Sequence, residues 1–481
     1  MKNNITENFL IRLLILIIFF TVSIRCIAII NTPLELSPDE AQYWLWSQNL
    51  SWGYFSKPPL IAWLINLSNL IFGDYEFGVR IFSPILHGIT ALVIFYLSRE
   101  IISNSVSHFI SSLIWLTLPI VGVGSFLMST DTPLMLIWAV SLLLIVKAYK
   151  AENKTTWVIA GLFSGIGIYA KYAAMYQPLG LIIFYLFRIN KNSKLNLSHL
   201  ALFIFSFIII SIPNIVWNIF NNFHTINHLS SNAVIDTPSY SILGSVIFLL
   251  SQIIVMGPIV FFIFCISLLN YKNFNNIIGL IFFFVLPVFF IMIFQGFFSE
   301  ANANWAATAL PGISIICGYY LSKRISIAFI ALATNTIICL VVFIISITGN
   351  LILFDLKSDP LRKLKGWQYL SKDIVDTIDE QKTNLILVDR RGIAAELMYY
   401  LRSENIRIRV PKSSNPPENH YQLNYSIDEK ESKKFYYLTE NYKIPNYMIK
   451  NYKVSKVGMS NIQISKNRSR VLYFYYFKKI S

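Results

Sequence analysis

Asp39 and Glu40 stand side by side in Ser37-Pro38-Asp39-Glu40-Ala41-Gln42-Tyr43-Trp44, and Lys57 follows in Tyr54-Phe55-Ser56-Lys57-Pro58-Pro59-Leu60. A carboxylate can take a proton from a hydroxyl, and a lysine ammonium is a mobile point charge suited to a phosphate. Aromatic neighbours would partly desolvate these acids, which pushes a carboxyl pKa upward and strengthens it as a general base. The same residues have a plain structural reading. Ser37 to Glu40 is a capping box with Pro38 at the first helical position, and Lys57 could simply snorkel to an interface. A cap can also fix a base, so the readings are compatible.

Further polar groups stand out against an apolar background. Asp131, in Ser129-Thr130-Asp131-Thr132-Pro133, suits either a helix start or a third catalytic acid beside Asp39 and Glu40. Lys171 interrupts Gly167-Ile168-Tyr169-Ala170-Lys171-Tyr172-Ala173, where a charge near membrane depth is costly and points to function. With Lys57 it is the candidate ligand of a donor phosphate. Tyr43, Tyr54, Tyr172, His224, Glu300 and Asn304 are candidates for the walls of a substrate pocket. His224 and His228 have the i, i+4 spacing of metal ligands on a helix, but two histidines without further ligands more often sit in a polar loop.

The elements that must position these groups are membrane helices. Of 481 residues 55% are hydrophobic and only 14% charged, with a mean hydropathy of +0.55, which no soluble core can use. About eleven apolar runs read as spans: Phe9–Ile30, Val79–Leu97, Phe109–Phe126, Pro133–Val146, Trp157–Ala170, Ala173–Phe187, Leu197–Val216, Ile242–Leu269, Ile277–Phe294, Ala306–Leu321 and Ile325–Ile347. The first reads as a retained anchor. Alternate loops collect Arg12, Arg99, Lys147, Lys150, Lys323 and Arg324, which places the N-terminus in the cytoplasm. An odd span count then puts Asp39, Glu40, Lys57, Asp131, Lys171, His224, Glu300 and Asn304 together on the outer face.

Residues 1–349 therefore form a transmembrane domain with a first outer loop, 31–78, carrying two interfacial amphipathic helices rich in tryptophan. Residues 350–481 read as a small extracytoplasmic α/β domain. Its predicted elements are a helix over Pro360–Gln381, a strand Asn384–Val388, a helix Gly392–Leu401, and strands Ile406–Val410, Lys434–Leu438 and Arg470–Phe477. Cys26, Cys265, Cys317 and Cys339 all lie in apolar runs and read as small core residues. The net charge of +15 is topogenic and C-terminal rather than a nucleic-acid footprint. The chain has no Walker motif, no GxGxxG and no zinc-ligand spacing.

Acids to activate an acceptor hydroxyl, beside lysines with no nucleotide-binding loop, suit displacement at a sugar's anomeric carbon with a lipid phosphate leaving. The chain resembles the membrane-embedded class-C glycosyltransferases, in the bacterial branch that groups with protein O-mannosyltransferases and the aminoarabinose transferase of lipid A. The resemblance rests on Asp39-Glu40-Ala41-Gln42-Tyr43-Trp44, Ser56-Lys57-Pro58-Pro59-Leu60, Ser129-Thr130-Asp131-Thr132-Pro133, Ala170-Lys171-Tyr172 and Asn302-Ala303-Asn304-Trp305-Ala306-Ala307, in family order. The tail, with Asp389-Arg390-Arg391 after a strand, is similar to that of bacterial members.

The resemblance implies a bacterial inner-membrane protein with its site in the periplasm. It also implies an undecaprenyl-phosphate-linked hexose or pentose as donor, and lipid A, another glycan or a protein as acceptor. Asp39 would be the base and Lys57 the phosphate ligand. No cofactor is implied as required. Ser56 stands where the lipid A enzyme has an acid, which leaves a divalent metal open. A transporter or flippase of a lipid-linked precursor is the alternative. It would need charges at broken helices in paired repeats, and no repeat is evident.

Overall fold

The computed structural model describes residues 2–188, 195–233, 240–270, 276–351, 359–379, 381–412, 416–428, 432–444, 446–449, 451–465 and 468–480. Its first helix, α1 (Lys2–Asn31), is apolar on all sides. Phe9, Phe19, Phe20, Ile24 and Ile27 stand exposed along it, as lipid contact requires. The first outer loop holds α2 (Pro38–Ser47), α3 (Leu60–Phe72) and α4 (Glu76–Arg80). The helical part continues with α5 (Phe82–Ile101), α6 (Ser105–Thr117), α7 (Pro119–Gly124), α8 (Asp131–Ala151), α9 (Lys154–Ala170) and α10 (Tyr176–Arg188). It closes with α11 (Leu197–Phe220), α12 (His224–Ala233), α13 (Ile242–Met256), α14 (Pro258–Leu269), α15 (Asn276–Phe298), α16 (Leu310–Leu321) and α17 (Ile325–Thr348).

Six helical stretches among the described residues are long and apolar enough to cross a membrane. The pair α13 and α14, bent by 118°, makes a seventh if it is one span. The single expected span over Ile242–Leu269 is therefore broken at Gly257-Pro258. Pro258 has no N–H to continue the ladder. Gly257 adopts φ 81°, and a Cβ there would overlap the side chain of Asn335. Asn335 fills the break by donating to the Met256 carbonyl at 2.9 Å. Pro119 likewise divides the run 109–126 into α6 and α7. At Lys171 the backbone turns extended, and a 3-10 turn, Tyr172–Met175, leads into α10.

The C-terminal part is a mixed sheet. β1 (Leu385–Val388), β2 (Arg407–Pro411), β3 (Ser426–Ile427), β4 (Lys434–Thr439), β5 (Tyr452–Ser465) and β6 (Arg468–Lys479) lie in the order β3-β2-β1-β4-β6-β5. The first four are parallel, and β6 runs antiparallel to both β4 and β5. β1 is buried throughout, as a central parallel strand should be. The helix expected over 360–381 is instead a 3-10 turn, Pro360–Leu364, and α18 (Trp367–Thr377), separated by Gly366 at φ 84°. α19 (Arg391–Tyr400) connects β1 to β2.

The membrane part and this sheet share a hydrophobic core. Leu36, Ala41, Trp44 and Ile65 of the first loop pack with Trp367, Leu370, Ile393, Leu397 and Tyr399. Trp44 meets Tyr399 edge to face at 4.9 Å. Gly366 can offer α18 no capping side chain, and Glu35 supplies one from the first loop. Its carboxylate accepts from Trp367 N at 2.6 Å and Gln368 N at 2.9 Å. Leu36 N donates to the Tyr400 hydroxyl at 2.9 Å.

Glu396 of α19 is a buried acid beside this core. It is fully buried, and neither carboxyl oxygen has a hydrogen-bond partner among the described residues. Burial pushes its pKa well above the carboxylate range. Arg470, stacked 3.4 Å over the Trp367 ring, only partly offsets this. The folded form thus holds a proton that the unfolded form releases above the ordinary glutamate pKa. Stability contributed here is present at low pH and declines as pH rises from that value toward the raised one. Glu396→Gln, which mimics the protonated group, should flatten that decline in thermal unfolding measured across pH. An unchanged pH slope would show that the carboxyl titrates normally.

Candidate active site

α2 begins as its sequence dictates. Ser37 Oγ accepts from Glu40 N at 3.3 Å, and Ser37 N donates to Glu40 Oε2 at 3.0 Å, completing the capping box. Glu40, expected as a catalytic acid, is buried and fully engaged. Arg80 donates to both its oxygens, at 2.9 and 3.0 Å, and Met128 N donates to Oε1 at 3.0 Å. Arg80 spends its remaining donors on the Leu34 and Glu35 carbonyls, at 2.8 and 2.7 Å. This ion pair ties α2, α4 and the loop before α8 together and leaves Glu40 no oxygen for a substrate.

Asp39, one residue away on the helix, points elsewhere. Its side chain is 60% exposed, so the expected desolvation by aromatics is absent. Its partner is Arg391, the first residue of α19, whose Nη2 donates to Oδ1 at 3.0 Å while Nη1 donates to Gln42 Oε1 at 3.1 Å. Gly392 lies over Pro38, so the N-terminal ends of α2 and α19 face one another.

Asp131 opens α8 and gathers two further expected residues. Lys171 Nζ donates to Oδ1 and Asn304 Nδ2 to Oδ2, each at 2.7 Å. Lys171 reaches it because α9 stops there. Lys57 forms no ion pair and no side-chain hydrogen bond with a described residue. Burial and then the Lys171 charge push its pKa down, while Asp39 and Asp131 push it back up. Lys57, Lys171, Asp39, Asp131 and Arg391 therefore share one electrostatic field.

The pocket candidates divide. Tyr43 is buried within the field of Asp39 and Asp131, its hydroxyl forming no hydrogen bond with a described residue. Tyr54 stacks on Trp46 at 4.7 Å, and its hydroxyl is held by Ser51 N and the Trp46 and Asn49 carbonyls, so it braces the loop. Burial pushes its pKa up to about 12. The Tyr172 hydroxyl donates to Asn214 Oδ1 and accepts from Asn218 Nδ2, both at 2.9 Å. His224 and His228 pack on Phe55, with ring centroids 5.5 and 5.8 Å away. Burial lowers the His228 pKa, and the Lys57 charge lowers it further. Glu300 is exposed, and it forms no hydrogen bond or ion pair with a described residue. Arg391, Arg80 and Gln42 were missed as site residues. Only Asp389-Arg390-Arg391, opening a helix after a strand, gave a signal for the first. Among the described residues no group of three or more His, Cys, Asp or Glu is arranged to hold a metal.

The profile of the dolichyl-phosphate-mannose-protein mannosyltransferase family matches residues 56–217. Lipid A galacturonosyltransferase RgtD of Rhizobium johnstonii is 25% identical over 407 residues, 84% of this chain and 85% of that protein. The solved structure of ArnT from Cupriavidus metallidurans bound to undecaprenyl phosphate superposes with a TM-score of 0.70, covering 96% of this chain and 97% of that one. The chain is similar, in sequence and in fold, to bacterial glycosyltransferases of the protein mannosyltransferase and ArnT superfamily. At 14% identity the ArnT likeness is one of fold. A second superfamily relative is the undecaprenyl phosphate-alpha-4-amino-4-deoxy-L-arabinose arabinosyl transferase 2 of Proteus mirabilis. It is 31% identical over 173 residues, 32% of this chain and 31% of that enzyme, so the match spans about a third of its length. The superfamily match covers Lys57, Asp131 and Lys171, while Asp39 and Arg391 lie outside the profile's residues.

Proposed function

We propose that this chain is an integral-membrane glycosyltransferase that moves a sugar from undecaprenyl phosphate to a hydroxyl or phosphate of a cell-envelope acceptor, with lipid A as the first candidate. The names of its relatives support that donor and acceptor. The observation that carries the reading is the site's charge arrangement. An exposed carboxylate, Asp39, shares a field with Lys57, a partly buried lysine that forms no ion pair with a described residue.

In the proposed reaction the acceptor hydroxyl gives its proton to Asp39, and its oxygen attacks the anomeric carbon from the face opposite the phosphate. The bond from that carbon to the phosphate oxygen breaks, and the electron pair leaves with the polyprenyl phosphate. Lys57 stabilises the charge that develops there, with Lys171 behind it. The Lys171 ammonium is already shared with Asp131, so its part is to position that acid and add to the field. Glu40 acts as a positioning residue, holding α2 against Arg80. Tyr43, buried in the field of both acids, serves as a pocket wall.

The same reading takes α1, α5, α6 with α7, α8, α9, α10, α11, α13 with α14, α15, α16 and α17 as eleven passes. The N-terminus is cytoplasmic and the C-terminal domain periplasmic. Contacts of Asp131 with Lys171 and Asn304, and of Asp39 with Arg391, support one shared face. A transporter would use charge at a broken helix. The break between α13 and α14 carries none in its sequence.

Mass spectrometry of envelope glycolipids from a deletion strain tests the function: a sugar mass should disappear from lipid A and return with the wild-type gene. An unchanged glycolipid profile would reject it. Lys57→Met should weaken undecaprenyl phosphate binding by about 1.5–3 kcal/mol, roughly 10- to 100-fold, because a charged hydrogen-bond donor is lost. Lys57→Arg should retain part of the affinity. Equal affinity in all three proteins would remove Lys57 from the donor site.

A further inference from the structure

Arg391 reaches the candidate base from a different part of the fold, 352 residues along the chain. Three cations, Lys57, Lys171 and Arg391, surround two acids, Asp39 and Asp131, in one field. Lys171 is matched by Asp131 and Arg391 by Asp39. Lys57 is left for the donor phosphate. That balance holds only while Asp39 is ionised. When Asp39 takes a proton it becomes neutral, and Arg391 loses its counter-charge during the step that needs it placed.

The position of Arg391 says which substrate would restore the balance. Its guanidinium touches Asp39 and Gln42, on the side of the site where the hydroxyl being deprotonated must lie. A base contacts the acceptor, so a cation bonded to the base is the next group the acceptor meets. The arginine is 41% exposed, and only one N–H goes to Asp39. A planar fork used this way retains donors for a bidentate oxyanion. Its backbone is held firmly, because α19 packs against α2 in the shared core.

We propose that Arg391 is the acceptor-recognition residue: it passes from Asp39 to a phosphate monoester carried by the acceptor, which frees the base as the acceptor arrives. This rests on the glycosyltransferase reading above. It deepens that reading by assigning the C-terminal domain a part in choosing the substrate. Before binding, the arginine holds one oxygen of Asp39 and leaves the other open, so an acceptor anion that draws the arginine away frees the whole carboxylate.

The test is binding rather than turnover, so that it stands apart from the transfer reaction. Full-length protein in nanodiscs is titrated with lipid A and with enzymatically dephosphorylated lipid A. Wild type should prefer the phosphorylated form by on the order of tenfold or more. Arg391→Met should lose most of that preference, and Arg391→Lys should keep part of it. Affinity for undecaprenyl phosphate should be the same in all three, which also reports an intact fold. Two results overturn the proposal: no phosphate preference in wild type, or an equal loss for both forms of lipid A in Arg391→Met. Either result leaves the donor-binding test at Lys57 standing. A failure of the deletion strain to lose a sugar rejects the transfer reading without altering these affinities.

Discussion

Asp39→Asn should reduce sugar transfer by at least roughly 100-fold, the scale expected for loss of a general base. Asparagine has nearly the same shape and can still accept from Arg391, so α2 and its cap should persist. Thermal unfolding should therefore change little, and undecaprenyl phosphate should bind as before. The decisive comparison is turnover per folded molecule, with the deletion strain complemented by each form and its glycolipids weighed. The variant should leave the acceptor unmodified while accumulating at wild-type levels in the membrane. Normal turnover by Asp39→Asn would reduce the residue to a helix-start acid. The mechanism would then need another base, and Asp131, held by Lys171 and Asn304, would be a poor one.

Arg80→Met should cost about 3–5 kcal/mol of stability, because it leaves the Glu40 carboxylate buried without its counter-charge. The effect should spread beyond the pair. Glu40 also accepts from Met128 N, so loosening it releases the loop that leads into Asp131. Thermal unfolding in detergent should show the loss for Arg80→Met and for Glu40→Ala. The double variant should lose less than the sum of the two, since the uncompensated charge is then gone. A loss below about 1 kcal/mol in Arg80→Met would place this pair with weak surface ion pairs and would contradict its burial.

The two neighbouring acids show how far the sequence could be read. The capping box was legible because it is local: Ser37, Pro38 and Glu40 lie within one turn. What the box could not disclose was the division of labour, which depends on Arg80 forty residues away and on Arg391, 352 residues along the chain. Lys171 was legible as a costly charge in an apolar run, but its matching acid was not, because Asp131 becomes a neighbour only when α8 and α9 pack. Mainly helical, multi-pass architecture was plain from hydropathy alone. Continuity of the spans was not, since an apolar run reads the same whether or not Gly257 and Pro258 bend it. Strand β5 was missed because Lys453, Lys456 and Gly458 dilute its alternation, as is common at a sheet edge.

The core shared by the first loop and the C-terminal sheet sets an order of events during synthesis. The segment carrying Asp39 leaves the ribosome early and enters the membrane with α1. Glu35, Leu36 and Asp39 then wait for Trp367, Tyr400 and Arg391. At ordinary elongation rates of roughly 5–20 residues per second, that interval is roughly 20–70 s. Trp52, Trp63 and Phe55 meet Tyr169, His224 and His228 earlier, but the face of the loop that will meet Trp367, Leu397 and Tyr399 has no partner until the tail is made and must rest against lipid headgroups. The nascent polypeptide therefore sits among its own lipid substrates with an unassembled site. It gains its final arrangement only after the C-terminal part has been made and has folded back onto the first loop, which makes docking of the tail the step that completes the site.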